Sequence, residues 1–164
     1  MSNVRPQSHN VAMSSQRIRP LAICVFRNRG RILVTEAHDP VKRQSFCRPL
    51  GGGIEFGETS AQAVAREVRE EINAEVANLK LIGTLENIFT YLGATGHEIV
   101  QVYDGEFVDE SLYGLASIPG AESNGQAFQA IWRELECFST ELPLFPEGLL
   151  QLLNSKAAHL AAEA

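Results

Sequence analysis

Glu67, Glu70 and Glu71 fall within the run Arg66-Glu67-Val68-Arg69-Glu70-Glu71. On a helix, carboxylates at i, i+3 and i+4 share one side and repel one another. A divalent cation removes that penalty, and hard oxygen ligands of this kind suit magnesium or manganese. The surrounding sequence supplies the helix. Thr59 is a good N-cap, and Gln62 three residues later completes a capping-box pattern. At roughly 100° per residue, Ala61, Val64, Ala65, Val68 and Ile72 fall on one arc of about 100°, an apolar stripe suited to a core. The three acids sit about a third of a turn away from it. Arg66 precedes Glu70 by one helical turn and can hold its carboxylate. Asn73 ends the helix, because asparagine tolerates a left-handed C-terminal residue almost as well as glycine does.

Upstream, Gly51, Gly52 and Gly53 remove three side chains where backbone turns sharply or comes close to a ligand. A carbonyl from that turn is a further candidate oxygen ligand. Glu58 stands between the glycines and the helix, near the N-terminus where negative charge is favoured.

This arrangement resembles the signature of the Nudix hydrolases: a glycine, five residues, a glutamate, seven residues, then Arg-Glu-(apolar)-x-Glu-Glu-x-Gly-(apolar). It falls here on Gly52, Glu58, Arg66, Glu67, Val68, Glu70, Glu71, Asn73 and Ala74, spanning 23 residues. Asn73 in place of the late glycine is the single departure. The resemblance implies an α/β/α sandwich, with a mixed β-sheet and the signature helix packed on it. It implies metal-dependent hydrolysis of a phosphoanhydride bond in a nucleoside diphosphate derivative or a nucleoside triphosphate, with Mg²⁺ or Mn²⁺ as cofactor. Gly51 (through its carbonyl), Glu67, Glu70 and Glu71 are then the metal ligands. Glu70, Glu71, Arg66 and Glu98 are the catalytic candidates. Glu98 stands for the extra glutamate that the family often places outside the motif. His97 is a weaker candidate for a base, and Glu86 and Glu106 are weaker alternatives to Glu98. Arg48, Gly52, Gly53 and Tyr91 are the substrate-binding candidates, and Gly52, Glu58 and Asn73 keep the motif's shape. Two competing readings are an inactive nucleotide-binding module and an RNA 5′-end pyrophosphohydrolase.

The elements that must position this motif come from the rest of the chain. At 164 residues it is long enough for one domain with a substantial core. Residues 1–15 read as a polar, flexible tail, 16–155 as a single domain, and 156–164 as the end of a last helix or a frayed tail. Ile18–Arg27 and Arg31–Glu36 read as strands around a turn at Asn28-Arg29-Gly30. Phe46–Leu50 leads into the glycine turn. Glu75–Tyr91 is mainly extended, Leu92–Gly96 turns, and His97–Phe107 alternates as a strand. Residues 109–126 form a loop long enough to suggest a role in function. Ala130–Phe138 is read as a strand. Pro146 starts a final helix, with Leu149, Leu150, Leu152 and Leu153 on its apolar side.

No apolar run reaches membrane-spanning length, and no signal-peptide core is present. Cys24, Cys47 and Cys137 are odd in number and lack a Cys-x-x-Cys pair, which points to reduced, mostly buried thiols in the cytoplasm. The net charge of −6 is unevenly spread. Residues 1–50 carry nine Lys or Arg against two acids, and the remainder five against eighteen. That balance argues against a broad nucleic-acid face and for a small nucleotide partner. Arg48, beside the glycines, is the arginine best placed for phosphate. Phe89, Tyr91, Tyr103 and Trp132 are the rings that could stack on a base, at least two of them being core residues.

The substrate is less legible. The family's ADP-ribose subgroup carries a proline past the motif, and this chain has none between Pro49 and Pro119. Tyr91 lies near the tyrosine position of the dinucleoside-polyphosphate subgroup, and the NADH-type proline-rich motif is missing. Family members commonly dimerise, which makes a homodimer a further expectation.

Overall fold

The computed structural model describes residues 16–162. Eight strands form one mixed sheet: β1 (Arg19–Asn28), β2 (Arg31–Asp39), β3 (Gln44–Arg48), β4 (Leu50–Gly53), β5 (Val76–Tyr91), β6 (Ala94–Phe107), β7 (Ser117–Ala121) and β8 (Ala127–Glu134). Helix α1 (Ser60–Ile72) follows β4, and α2 (Leu149–Ala162) comes last. The strand order is β5-β6-β1-β2-β8-β7, with β4 paired to β1 and β3 to β2. The β1–β6 pair is parallel, and the other pairs are antiparallel.

The apolar run in β1 is continuous because both faces of that strand are covered. Ala22, Cys24 and Phe26 join Ala63, Val64 and Val68 of α1 in one buried cluster. Ile23 and Val25, the alternate residues, join Leu149 and Leu153 of α2 in another. The chain is therefore an α/β/α sandwich, and the residues of β1 sort by parity between the two helices.

The helix ends follow the sequence rules. Thr59 Oγ1 accepts the Gln62 N–H at 3.3 Å, and Gln62 Oε1 accepts the Thr59 N–H at 2.8 Å. Asn73 adopts φ 53°, ψ 40°, and its N–H donates to the Arg69 carbonyl at 3.0 Å. Ala63 is fully buried, although the periodicity argument left it off the stripe; its small side chain lets the helix approach the sheet closely.

Several boundaries differ from the sequence reading. The glycines form strand β4, with Gly51, Gly52 and Gly53 opposite Ile23, Ala22 and Leu21, in place of a turn. The expected turn at Leu92–Gly96 is shorter, since β6 already begins at Ala94 and pairs back to Tyr91. The segment 109–126, expected to be a loop, holds a 3-10 turn at Glu110–Gly114 and strand β7. A second 3-10 turn, Leu135–Cys137, occupies the end of the strand expected at 130–138. The last helix starts at Leu149, three residues past Pro146, and continues to Ala162. Residues 1–15, expected to be a flexible tail, lie outside the described residues. All three cysteines are free, and Cys137 is exposed. Among the described residues, no helix is long and apolar enough to cross a membrane.

Candidate active site

Strand β4 and the middle of α1 face each other, and Gly52 shows why no side chain is tolerated between them. A Cβ there would lie 2.4 Å from Glu67 Oε1 and 2.5 Å from its Cδ. Hydrogen in place of a methyl group leaves the seat in which the Glu67 carboxylate rests. At Gly51, φ is +131°, and a Cβ would stand 2.3 Å from the Ala22 carbonyl oxygen. Gly51 donates its N–H to Glu71 Oε2 at 3.1 Å. The Ile54 N–H donates to the Pro20 carbonyl, so the β1–β4 ladder bonds fall on alternate pairs that omit Ile23–Gly51. The Gly51 carbonyl is thereby left outside the ladder.

Arg66 ties the acids together. Its Nε donates to Glu58 Oε1 at 2.8 Å, and its Nη2 to Glu58 Oε2 at 3.0 Å and to the Gly53 carbonyl at 2.8 Å. Its Nη1 donates to Glu67 Oε1 at 3.0 Å and to Glu70 Oε2 at 3.3 Å. The pair expected one helical turn on, Arg66–Glu70, is thus the longest of the set. The fork around Glu58 is the bidentate one. Arg66 holds the Glu58 carboxyl below its ordinary range, and the Glu58 carboxylate raises the Arg66 guanidinium in return.

Glu71 behaves differently. Burial pushes its carboxyl up to about 8, and the charges of Glu122 and Glu67 add to the rise, while the Gly51 N–H and Arg48 oppose it. Glu122 lies in the turn between β7 and β8 and accepts a hydrogen bond from Arg48 Nη2 at 2.6 Å. The arrangement therefore unites Gly51, Gly52, Gly53, Glu58, Arg66, Glu67, Glu70, Glu71 and Arg48, and adds Glu122, which the sequence reading did not single out. The one signal for it was the acid-bearing segment 109–126, read there as a loop with a role in function.

The remaining candidates are placed elsewhere. Glu98 lies on β6 in register with Arg19, 3.6 Å from its guanidinium. Counting along the unbroken register, it shares parity with Val100 and Val102, which face α2. Its side chain is therefore on the sheet face opposite α1, and it does not join the acids. His97 Nε2 meets Glu86 Oε1 at 2.8 Å, and Glu106 accepts from Asn78 at 2.6 Å. Tyr91 packs edge-on against Phe46, with centroids 5.8 Å apart. Tyr103 is buried, with its hydroxyl 2.6 Å from Ser60 Oγ. Trp132 stacks on Tyr113, and the Phe89 ring occupies the space beside Gly96.

The donor set fits a hard divalent cation. It is all oxygen, one carboxylate rests in a cradle that a Cβ would fill, and another is half-buried among acids of the same charge. Among the described residues, no three such side chains already converge as a closed cage. Arg66 engages Glu67 and Glu70 instead.

A family profile for the NUDIX domain matches residues 16–137. The chain belongs to that family. It is 40% identical over 68 residues to an NAD-capped RNA hydrolase NudC from Vibrio vulnificus, a stretch covering 42% of this chain and 25% of that protein. To the protein of the same name from Vibrio cholerae it is 28% identical over 123 residues, covering 70% of this chain and 44% of the other. The chain thus spans less than half the length of these relatives. Among solved structures, a MutT NUDIX hydrolase from Burkholderia pseudomallei superposes with a TM-score of 0.59 at 19% identity, covering 85% of this chain and 98% of that one. This last likeness is one of fold.

Proposed function

We propose that the chain hydrolyses a phosphoanhydride bond in a nucleoside diphosphate derivative by attack of water. The observation that carries this reading is the union of Glu67, Glu70 and Glu71 with a glycine strand, one carboxylate seated against Gly52 and another, half-buried, accepting the Gly51 N–H. Glu67, Glu70, Glu71 and the Gly51 carbonyl would hold Mg²⁺ or Mn²⁺. Bound there, the cation would neutralise phosphate oxygens that otherwise shield phosphorus from a nucleophile, and would favour loss of a proton from water.

The chain's own groups do the rest. Arg66 fixes the Glu67 carboxylate from one side, and Gly52 leaves it room on the other. Arg48, paired with Glu122 beside the acids, offers its guanidinium to phosphate in exchange for Glu122. As water adds to phosphorus and the anhydride P–O bond breaks, the proton from water passes to the acid cluster. Carboxyls this close titrate as a group, so the proton belongs to the cluster and not to one glutamate.

The test is a panel of nucleoside triphosphates, nucleotide sugars, ADP-ribose, NADH and dinucleoside polyphosphates, each with magnesium, with manganese and with EDTA. Metal-dependent release of a nucleoside monophosphate from at least one is the expected result; no release from any would end this reading. A second reading has one observation in its favour, the 28% identity to an NAD-capped RNA hydrolase across 70% of this chain. Free NAD and an NAD-capped oligonucleotide assayed side by side separate the two. The acidic balance of the chain favours the free nucleotide.

A further inference from the structure

The four rings that the sequence offered for base recognition are all engaged in packing or hydrogen bonding. A fifth is not. Phe56 has a relative exposure of 109%, the highest among the exposed large apolar residues described. A lone exposed ring is ordinary on a protein surface, so exposure by itself decides nothing. Its setting is what matters.

Phe56 stands second in a four-residue turn, Glu55–Glu58, closed by the Glu58 N–H donating to the Glu55 carbonyl at 3.1 Å, with Gly57 at φ 86°. Glu58 Oε2 also accepts the Glu55 N–H at 3.0 Å. The same Glu58 carboxylate is gripped at both oxygens by Arg66, which holds Glu67 and Glu70. The turn that displays the ring is therefore fastened to the acids by one guanidinium. A ring held on a rigid turn loses little freedom when a ligand stacks on it.

The turn leaves the sheet where the Ile54 N–H meets the Pro20 carbonyl, the same end at which Ile18 approaches β1. Ile18 lines an open cavity of about 280 Å³ together with Gln16, Arg17, Ile88, Thr95 and His97. Thr95 and His97 share the β6 parity of Tyr103, so they sit on the α1 face, and Ile88 pairs with His97. Two isoleucines for a flat ring, with Arg17 and three polar side chains around them, suit a heteroaromatic group joined to a phosphate chain.

We propose that Phe56 is the stacking platform for the nucleobase of the substrate, with the base directed to this end of the sheet while the phosphates meet the acids. This rests on the pyrophosphohydrolase reading for the position of the phosphates, and it adds a determinant of substrate class: a base-bearing diphosphate is preferred over a diphosphate without one.

The experiment compares the wild type with Phe56→Ala and Phe56→Trp. Calorimetry with magnesium measures the affinity for ADP and for inorganic pyrophosphate, which has no base. Phe56→Ala is expected to weaken ADP about 5- to 150-fold, the range of one base–aromatic stack, and to leave pyrophosphate unchanged. With the substrate found by the panel, KM rises by the same factor and kcat stays within about 2-fold, because the ring touches no reacting atom. Phe56→Trp restores ADP affinity, and its added indole fluorescence is quenched by AMP in EDTA, a readout that needs neither metal nor turnover. Thermal unfolding checks that the variants are folded. Unchanged ADP affinity in Phe56→Ala, or equal weakening of ADP and pyrophosphate, overturns the proposal while leaving the hydrolase standing. If the wild type cleaves nothing in the panel, the hydrolase reading fails instead, and the AMP quench still decides whether Phe56 binds a base.

Discussion

Replacing Gly52 by alanine separates the role of the glycine strand in the fold from its role at the site. The new methyl carbon would lie 2.4 Å from Glu67 Oε1, 2.5 Å from Cδ and 2.8 Å from Oε2. An ordinary carbon contact is near 3.5 Å, so the carboxylate must retreat by about 1 Å. The atoms in the way are the far end of a flexible side chain, and Gly52 has no positive φ. The fold therefore loses little: the stability change should stay within about 1 kcal/mol, with the reduced freedom of the unfolded chain offsetting part of it. A catalytic group displaced by 1 Å costs far more in rate, on the order of 10²-fold. Steady-state kinetics on the best substrate of the panel and thermal unfolding, run on the same preparation, give both quantities. Gly51→Ala is the contrast, because there the clash is with the Ala22 backbone at 2.3 Å and φ is +131°. It should cost about 2 kcal/mol or more in stability. Wild-type activity in Gly52→Ala would show that Glu67 does not need its seat, and the proposed role of the glycine strand would be wrong.

Three further outcomes are expected. Glu70→Gln and Glu71→Gln should each lower kcat by roughly 10²- to 10⁴-fold with the protein still folded; full activity in both would remove the mechanism. Glu122→Gln should lower kcat/KM by at least about 10-fold, whereas Glu98→Gln, on the opposite face, should stay within about 2-fold of wild type; the reverse order would refute the placement of these two acids. The Glu58–Arg66 pair predicts a pH dependence of stability. Because the folded carboxyl sits below its ordinary value, the pair stabilises above the unfolded pKa of 4.5, and that contribution is lost as pH falls through the folded value. Melting curves of wild type and Glu58→Gln between pH 3 and 7 should therefore differ at neutral pH and converge in acid. A gap that persists or widens at pH 3 would contradict this.

The helix was the most legible part of the chain, because its signals are local. Thr59 and Gln62 cap it through bonds that span three residues, and Asn73 ends it by its own backbone preference. The two faces of β1 were less legible. A run buried on both sides shows no alternation, so only the tertiary structure sorts Ala22, Cys24 and Phe26 from Ile23 and Val25. The glycines misled in a specific way. Three in a row usually signal a turn, yet here they are a strand whose missing side chains make room for a carboxylate fifteen residues further on. Sequence spacing does not encode that kind of vacancy.

Glu98 and Glu122 mark the limit most sharply. Assigning Glu98 to the acid cluster required knowing which side of β6 it occupies, and a shift of one residue in register reverses that answer. The parallel pairing of β6 with β1 fixes it, but that pairing joins segments about eighty residues apart, and no local pattern reports it. Glu122 reaches the site from the opposite direction. Strand β8 pairs with β2, β2 with β3, and β3 ends at Arg48; the β7–β8 turn thus lies where Arg48 can meet Glu122 at 2.6 Å. An acid outside the motif is brought to the glycine strand only through that chain of pairings. A glutamate brought in this way can join or leave the site as the turn lengthens or shortens, while the helix acids stay fixed. The part of the site most able to differ among chains of this fold is therefore the part that its sequence hides.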